Sequence, residues 1–504
     1  MRAVVATVFA SVVLNAPLLA AEPGAGKPNL LFIWTDEQRP DTMAVYGNAR
    51  IHAPNLNRLA GESVVFKHAY VTQPVCTPSR SSVLTGLWPH TTGCTTNNVP
   101  LPKDALCLPE LVNDPRYRTA YMGKWHLGDE IFAQHGFEEV VSIEDAYLKH
   151  YGPERDRDQR SDYHHFLLGK GYLPDLKDNL FSREFACRLP IEHCKPKFLE
   201  MKACEFLRRH RDEPFILYVN FLEPHSPFFG PLDHEHALSE VSLPASFHDP
   251  LEDNEPLRYR LMREDCRQTY GHSEADFKEL TRKYWGLVAQ VDRSIGEILK
   301  ALDELGLADD TIVVFTSDHG DMMGAHQLVT KTVMYEESAK VPWLVRAPAL
   351  GRQQRVIAGP VSHIDVVPTL LDLMGVKIPA RLPGQSLVPL MGGQKVPEDH
   401  VFVEWNPGTG LHVPSGGTRL ASPAEIERVG EAHIRTVVSP DGWKLCLSDA
   451  DKSQLFNLRE DPGETKNLFD SGQHQAIIAR LTERIRQWQK KVRDPVTLPY
   501  EERR

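Results

Sequence analysis

Short runs of uninterrupted apolar residues recur along the chain, at Leu30–Trp34, Phe215–Val219, Thr311–Thr316, Trp343–Val345 and Val401–Trp405. A strand with one wet face alternates polar and apolar side chains. A continuous run marks a strand covered on both faces, as in a mainly parallel sheet between helices. The segments between these runs carry the helical period. The clearest spans Phe277 to Leu305, where Leu287, Val288, Val291, Ile295, Ile298, Leu299 and Leu302 share one face and Gly306 closes the run. Strands alternating with helices over this length predict an α/β fold, a large domain with a mixed, mainly parallel central sheet.

The pattern changes after the Pro/Gly-rich stretch from Pro379 to Pro397. A Gly-rich loop follows (Gly408 to Gly417), then strand-like segments at Ile434–Val438 and Trp443–Leu447. A last helix carries Ile477, Ile478, Leu481, Ile485, Trp488 and Val492 on one stripe. This order predicts a small α+β unit with an antiparallel sheet and a terminal helix. The opening residues differ again: Arg2, a mostly apolar stretch broken by Asn15 and Pro17, then Ala20 and Ala21. They read as a secretory signal peptide. The expected division is therefore 1–21 signal peptide, 22–395 large domain and 396–504 C-terminal unit, in a protein exported to the periplasm or secreted. No later stretch reaches spanning length, so no stable membrane insertion is expected once the leader is removed.

Apolar residues at 41% and charged residues at 25% allow a sizeable core. The formal net charge of −11 argues against a nucleic-acid partner. Eight cysteines include no zinc-type CxxC pair. Cys94 with Cys107, and Cys187 with Cys194, are near enough in sequence to form disulfides, and buried thiols would fit the same positions.

Candidate chemistry gathers just past the carboxyl ends of the expected strands, the edge where open α/β sheets bind ligands. Asp36 and Glu37 follow the first strand, and Lys124 and His126 follow Thr119–Tyr121. Glu223 and His225 follow the Phe215 strand, and Asp318 and His319 follow the Thr311 strand. Asp36, Glu37 and Asp318 suit a hard divalent cation, Ca2+ or Mg2+, and His319 moves the preference toward Mn2+ or Zn2+. Without a cation these carboxylates are expected to repel one another. In the segment Cys76 to Gly86, Thr77 is placed to cap a helix, with Pro78 at its first position and Gly86 at its end. Cys76 then lies at a helix N-terminus, which favours an anion, and Arg80 could grip a tetrahedral oxyanion. Read plainly, Cys76 is a thiolate nucleophile with a depressed pKa.

Cys76-Thr77-Pro78-Ser79-Arg80, followed by Leu84-Thr85-Gly86, resembles the signature of the type I sulfatases of the alkaline phosphatase superfamily. Gly123-Lys124-Trp125-His126-Leu127-Gly128 is similar to that family's second signature, and Ser317-Asp318-His319-Gly320 to its second metal motif. Leu455-Phe456-Asn457-Leu458, with Asp461-Pro462, Glu464 and Asn467-Leu468, resembles its C-terminal closing motif. The match runs from about Pro28 to Val492 and implies an alkaline-phosphatase-like large domain. It implies that a formylglycine-generating or anaerobic sulfatase-maturing enzyme oxidises Cys76 to formylglycine. The hydrated aldehyde would then attack sulfur and pass through a sulfo-enzyme intermediate.

By the same resemblance Asp36, Glu37, Asp318 and His319 bind Ca2+ with the modified Cys76, Mg2+ or Mn2+ being less expected. Arg80 steadies the hydrate, Lys124 and Lys331 hold sulfate oxygens, His126 takes the proton that triggers elimination, and His225 assists the leaving group. Two positions depart from the commonest pattern: Glu37 stands where many members have Asp, and His319 where many have Asn. The implied activity is hydrolysis of a sulfate ester on a small molecule or glycan. The same scaffold also serves phosphonate monoester and phosphodiester hydrolases, an alternative against which export and the Lys124/His126 pair weigh. A catalytically inactive exported glycan-binding protein is the remaining alternative, and every expected catalytic position is filled. The substrate alcohol is set by loops such as Ile131–Lys195 and Gly408–Gly417, where Tyr147, His150, Arg155, His164 and His165 could reach a sugar.

Overall fold

The computed structural model describes residues 27–498 apart from 151–155, 250, 252 and 398, so the expected signal peptide and Arg155 lie outside the described residues. Strands β1 (Asn29–Asp36), β2 (Val64–Tyr70), β3 (Arg118–Gly123), β4 (Glu139–Val141), β5 (Phe215–Pro224), β6 (Thr311–Ser317), β7 (Lys340–Arg346) and β8 (Arg355–Ser362) form one sheet. Their order is β4-β3-β5-β1-β6-β7-β2-β8. Neighbours are parallel except at β7, which runs antiparallel to both β6 and β2.

Every residue of β1 is buried, because its two faces enter different cores. Leu31 and Ile33 pack with the helices Lys195–Arg209 and Glu274–Glu304, whereas Leu30, Phe32 and Trp34 pack with Cys76–Thr85 and Val366–Leu373. The long helix starts at a capping box of Ser273 with Asp276 and ends just before Gly306, at φ +71°.

Four strands were not legible as apolar runs. Lys67 and His68 interrupt β2, and β8 is an edge strand with alternating burial that carries Gly359 and Pro360. The short β4 and the segment Gln454–Asn457 likewise carry no readable apolar run. The run Val401–Trp405 is a strand, but not of the large sheet. It is β9, the edge of a second, antiparallel sheet with β10 (Ile434–Val438), β11 (Trp443–Ser448) and β12 (Gln454–Asn457), in the order β12-β11-β10-β9. It is buried because the larger unit covers it: Val401, Val403 and Trp405 share a core with Tyr70, Val75 and Ala339. The terminal helix, Gln475–Val492, lays Ile478, Leu481 and Ile485 on Val437, Leu445, Leu447 and Leu455. Buried charge also ties the units together, with Lys444 Nζ lying 3.0 Å from Glu336 Oε1 and 2.8 Å from Glu464 Oε1.

All eight cysteines are thiols, so neither candidate disulfide forms. Two of the four sulfurs have local partners instead: Cys194 donates to Leu189 O at 3.3 Å, and Cys94 to Pro100 O at 3.8 Å. Among the described residues no helix is long and apolar enough to cross a membrane.

Close backbone approaches at glycines shape the sheet's carboxyl edge. Gly123 ends β3 at φ +110°, and a Cβ there would lie 1.8 Å from Asn220 O on β5. Gly123→Ala is expected to cost roughly 3 kcal/mol or more through strain and strand separation. An unchanged urea midpoint in the variant would refute this packing.

Candidate active site

Four strand ends, one connection and one helix deliver polar side chains to the carboxyl edge. Asp36 and Glu37 end β1, Lys124 and His126 follow β3, His225 follows β5, and Asp318 and His319 follow β6. Lys331 comes from the connection between β6 and β7, and Cys76 opens the helix Cys76–Thr85. That helix starts two residues earlier than a Thr77 cap requires. Val75 is the N-cap, without a side-chain bond, and Gly86 ends the helix at φ 70°. Thr77 Oγ1 donates to His126 O at 2.6 Å instead, joining the cysteine segment to the Lys124–His126 turn.

Asp36, Cys76, Asp318 and His319 are buried, and each offers one donor atom within 4.8 Å of the others. His319 Nε2 lies 3.2 Å from Cys76 Sγ, 3.6 Å from Asp318 Oδ1 and 3.8 Å from Asp36 Oδ1. Its Nδ1 is 2.9 Å from Gly320 O, which takes the ring proton and leaves an Nε2 lone pair facing the cluster. A second set overlaps the first. Asp36, Glu37 and His225 also converge, with Glu37 Oε1 3.3 Å from His225 Nε2 and in contact with Lys331 Nζ. Glu37, at φ 68°, therefore turns its longer side chain toward His225 and Lys331, and its buried Oε2 has no partner.

Arg80 has no solvent exposure, and its guanidinium does not present an open fork to an oxyanion. It donates from Nε to Asp318 Oδ2 (2.9 Å), from Nη2 to Asp36 Oδ2 (2.7 Å), and from Nη1 to Asn220 Oδ1 and Lys124 O (2.7 Å each). The expected bidentate grip is spent on two carboxylates. Lys124 Nζ adds a second cationic bond to Asp36, at 2.6 Å. Each carboxylate thus already has a cation against it, Lys331 serving Glu37, and repulsion among the acids does not by itself demand a metal.

The fit to a metal rests on donor chemistry: carboxylate oxygens, an imidazole lone pair and the Cys76 position converge, and Glu37 Oε2 is left over. A divalent cation would be held by Asp36, Asp318, His319 and residue 76, with Glu37 beside it.

Burial alone would raise the Asp36 pKa, but Lys124 and Arg80 outweigh it and hold the carboxyl well below the ordinary range. Burial and the Asp36 charge push the Cys76 thiol well up, so the expected depressed thiolate is not what this environment favours. Burial, with Lys124 next, takes His225 down to about 3, while burial lowers Lys331 to about 8. The imidazole is therefore neutral, with Nδ1 bonded to Ser226 O at 2.8 Å and Nε2 3.3 Å from Lys331 Nζ. Glu223 lies inside β5, where burial raises it to about 7, and the cations acting on it are Lys195 and Arg183 rather than those of the site.

His126 sits in a left-handed conformation at φ 56°. Its Nε2 lies 3.0 Å from Asn98 Oδ1, which takes the ring proton, and the buried Nδ1 lone pair has no partner. Burial and then Lys124 hold it neutral. Glu130 accepts from the backbone N–H groups of Trp125 and His126 at 3.0 and 2.7 Å. Tyr147 stacks on the His126 ring at 4.3 Å between centroids, and Arg183 donates to the Tyr147 hydroxyl at 2.7 Å. Asn98, Glu130, Arg183 and Asn220 were not found from sequence, because each stands outside the recognisable motifs. Tyr147, whose loop position suits solvent or a sugar, packs against His126.

A family model for sulfatases matches residues 28–376, most of the chain. The chain belongs to the sulfatase family. The enzyme is a sulfuric ester hydrolase on the alkaline-phosphatase-like fold. It is 32% identical over 472 residues to the ulvan-active sulfatase of Formosa agariphila, covering 91% of this chain and 80% of that one. Two solved structures share its fold at 22% identity. One is BT4656 bound to its substrate D-glucosamine-2-N,6-O-disulfate (TM-score 0.75, 94% of this chain and 100% of that one). The other is the phosphonate monoester hydrolase SpPMH from Silicibacter pomeroyi (TM-score 0.76, 93% and 96%).

Proposed function

We propose that this sulfatase hydrolyses a sulfate ester carried by a carbohydrate, using formylglycine made from Cys76 and Ca2+ held by Asp36, Glu37, residue 76, Asp318 and His319. The observation that carries the reading is the convergence of the Asp36, Cys76, Asp318 and His319 donor atoms within 4.8 Å. In that environment an unmodified thiol is held neutral and is a poor nucleophile. Formylglycine supplies a hydroxyl nucleophile, and the cation supplies positive charge for the sulfate oxygens.

The chain's own residues do the rest. Arg80 fixes Asp36 and Asp318 in one plane of contacts and so sets the spacing of the oxygen donors. Lys124, bonded to Asp36, and Lys331, against Glu37, bring positive charge to the site and hold sulfate oxygens as charge grows on them. His126, neutral and with Nδ1 free, accepts the proton that lets the second half-reaction proceed. At the corner shared by His225 and Lys331, a proton passes to the leaving oxygen.

Carbohydrate as the substrate class is supported by the ulvan-active relative. Hydrolysis of phosphonate monoesters remains the second reading, favoured by the likeness to SpPMH in fold alone. The reading includes export of the enzyme and maturation by a formylglycine-forming partner. It also includes a division near residue 395, supported by the change from β8 to the second sheet at Val401.

Protein co-expressed with a maturing enzyme is expected to yield a Cys76 peptide that reacts with hydrazide probes. Fully active protein that contains only the unmodified thiol would sink the mechanism. Phenylphosphonate ester hydrolysis exceeding that of every sulfate ester would transfer the activity to the second reading.

A further inference from the structure

The inference rests on the sulfatase reading and concerns the alcohol half of the ester. After β9 the chain runs through residues 406–418 across the larger unit, and both ends of this loop are tied beside the active site. On the His126 side, Asn406 Nδ2 donates to Gln73 Oε1 at 2.9 Å, and the Thr409 and Thr96 hydroxyls lie 3.0 Å apart. Gly408, at φ +100°, lies beside Thr96, where an added Cβ would be in ordinary van der Waals contact at 3.4 Å. Thr96 is followed by Asn97, which accepts from Thr77 N, and Asn98, which holds His126.

The far end is tied on the Lys331 side. Thr418 donates to Glu264, and His412 Nδ1 lies 3.3 Å from Asp265 Oδ2. Both acids belong to the helix Leu257–Tyr270, which also backs the Lys331 segment. Its Cys266 thiol reaches Val329 O at 3.9 Å, and its Met262 sulfur lies 3.8 Å from the Thr332 hydroxyl. The same helix pins the root of the loop, with the Arg258 guanidinium 4.0 Å over the Trp405 ring. The loop therefore bridges the His126 and Lys331 sides, and His412 stands within its span.

His412 keeps 36% of its side chain accessible, and burial of the remainder outweighs the opposing pull of Asp265 and, helped by Arg258 and Lys331, lowers its pKa. The ring is neutral near pH 7. Asp265 takes the Nδ1 proton, so Nε2 carries a lone pair and has no protein partner among the described residues. Such a nitrogen accepts a bond from a hydroxyl group and gives nothing to a carboxylate or a second sulfate.

We propose that His412, oriented by Asp265, forms a leaving-group subsite that accepts a hydrogen bond from a neutral hydroxyl on the alcohol bearing the sulfate. The subsite selects a polyhydroxylated ring over an aryl alcohol, and a ring with a free hydroxyl at this edge over one with a second anion there. Losing one such bond costs about tenfold in specificity.

His412→Ala is expected to lower kcat/KM about tenfold on monosulfated galactose or N-acetylglucosamine, while nitrophenyl sulfate stays within about twofold. His412→Gln, whose amide oxygen can accept the same bond, should recover part of the loss. Equal losses on sugar and aryl esters, or no loss on sugars, overturn the subsite. Calorimetry separates this from the activity assignment, because it needs no turnover. Cys76→Ala protein should bind monosulfated galactose about tenfold more tightly than the Cys76→Ala/His412→Ala double variant. Equal binding, or binding by neither, overturns the subsite. A parent enzyme that releases sulfate from no ester while the calorimetric difference persists overturns the sulfatase mechanism and leaves the subsite standing.

Discussion

Asp318→Ala is expected to lower kcat by about 10³-fold or more while changing KM by only a few-fold. The carboxylate has two separable tasks. Its Oδ2 holds Arg80 Nε at 2.9 Å, and its Oδ1 accepts from the backbone N–H groups of Glu37 and His319 at 3.3 and 2.9 Å. Alanine removes a donor from the proposed metal cluster and leaves the buried Arg80 with only Asp36 as a charged partner. Breaking such a pair typically costs about 3–5 kcal/mol, so the loss has to be distinguished from unfolding.

Asp318→Asn keeps the shape and can still accept from both N–H groups, but it removes the negative charge. It is expected to fold, to bind less than one equivalent of Ca2+ by elemental analysis, and to turn over almost as slowly as the alanine variant. Near-normal turnover by either variant after exhaustive chelation would remove Asp318 from the metal cluster.

The elements that the sequence made legible are those with one physical determinant. β1, β5 and β6 read as apolar runs because helices cover both faces, and the helix Glu274–Glu304 carries its own cap, stripe and terminal glycine. β2 was obscured by Lys67-His68 within the strand, and β8 by its place at the sheet edge. A run of apolar residues also cannot say which sheet it joins. β9 is buried by contact with Tyr70 and Val75, a fact of tertiary packing.

The candidate site divides in the same way. Strand ends and motifs pointed to Asp36, Glu37, Cys76, Arg80, Lys124, His126, His225, Asp318 and His319, the family resemblance added Lys331, and the structure brings all of them to one edge. What their side chains face was not legible. Arg80 turned from an oxyanion to Asp36 and Asp318, Glu37 turned toward Lys331, and Cys76 became a group whose charged form is disfavoured. These outcomes depend on partners from distant strands. Asn98, Asn220 and Glu130 escaped notice for the same reason: each acts by holding another residue, and no local pattern marks such a task.

His225 and His126 are expected to separate by leaving group. A sugar alkoxide needs a proton as the sulfur–oxygen bond breaks, whereas nitrophenolate departs almost unaided. General acid catalysis is worth ~10²–10⁴-fold in the first case and little in the second. The two imidazoles are built for different tasks. His225 Nε2 faces Lys331 Nζ at 3.3 Å, at a corner where a cationic proton source is at hand. His126 has its Nε2 proton bonded to Asn98 and its Nδ1 lone pair buried without a partner, the arrangement of a base.

His225→Ala should therefore cripple release of sulfate from monosulfated sugars, by ~10²-fold or more, and largely spare nitrophenyl sulfate. His126→Ala should slow both substrates to a similar rate and show a burst of released alcohol of about one enzyme equivalent, because the step after alcohol departure becomes limiting. Rapid-quench kinetics on the two esters reads both outcomes. Equal losses on both esters for His225→Ala, together with no burst for His126→Ala, would mean that the acid and the base have been assigned to the wrong sides of the site.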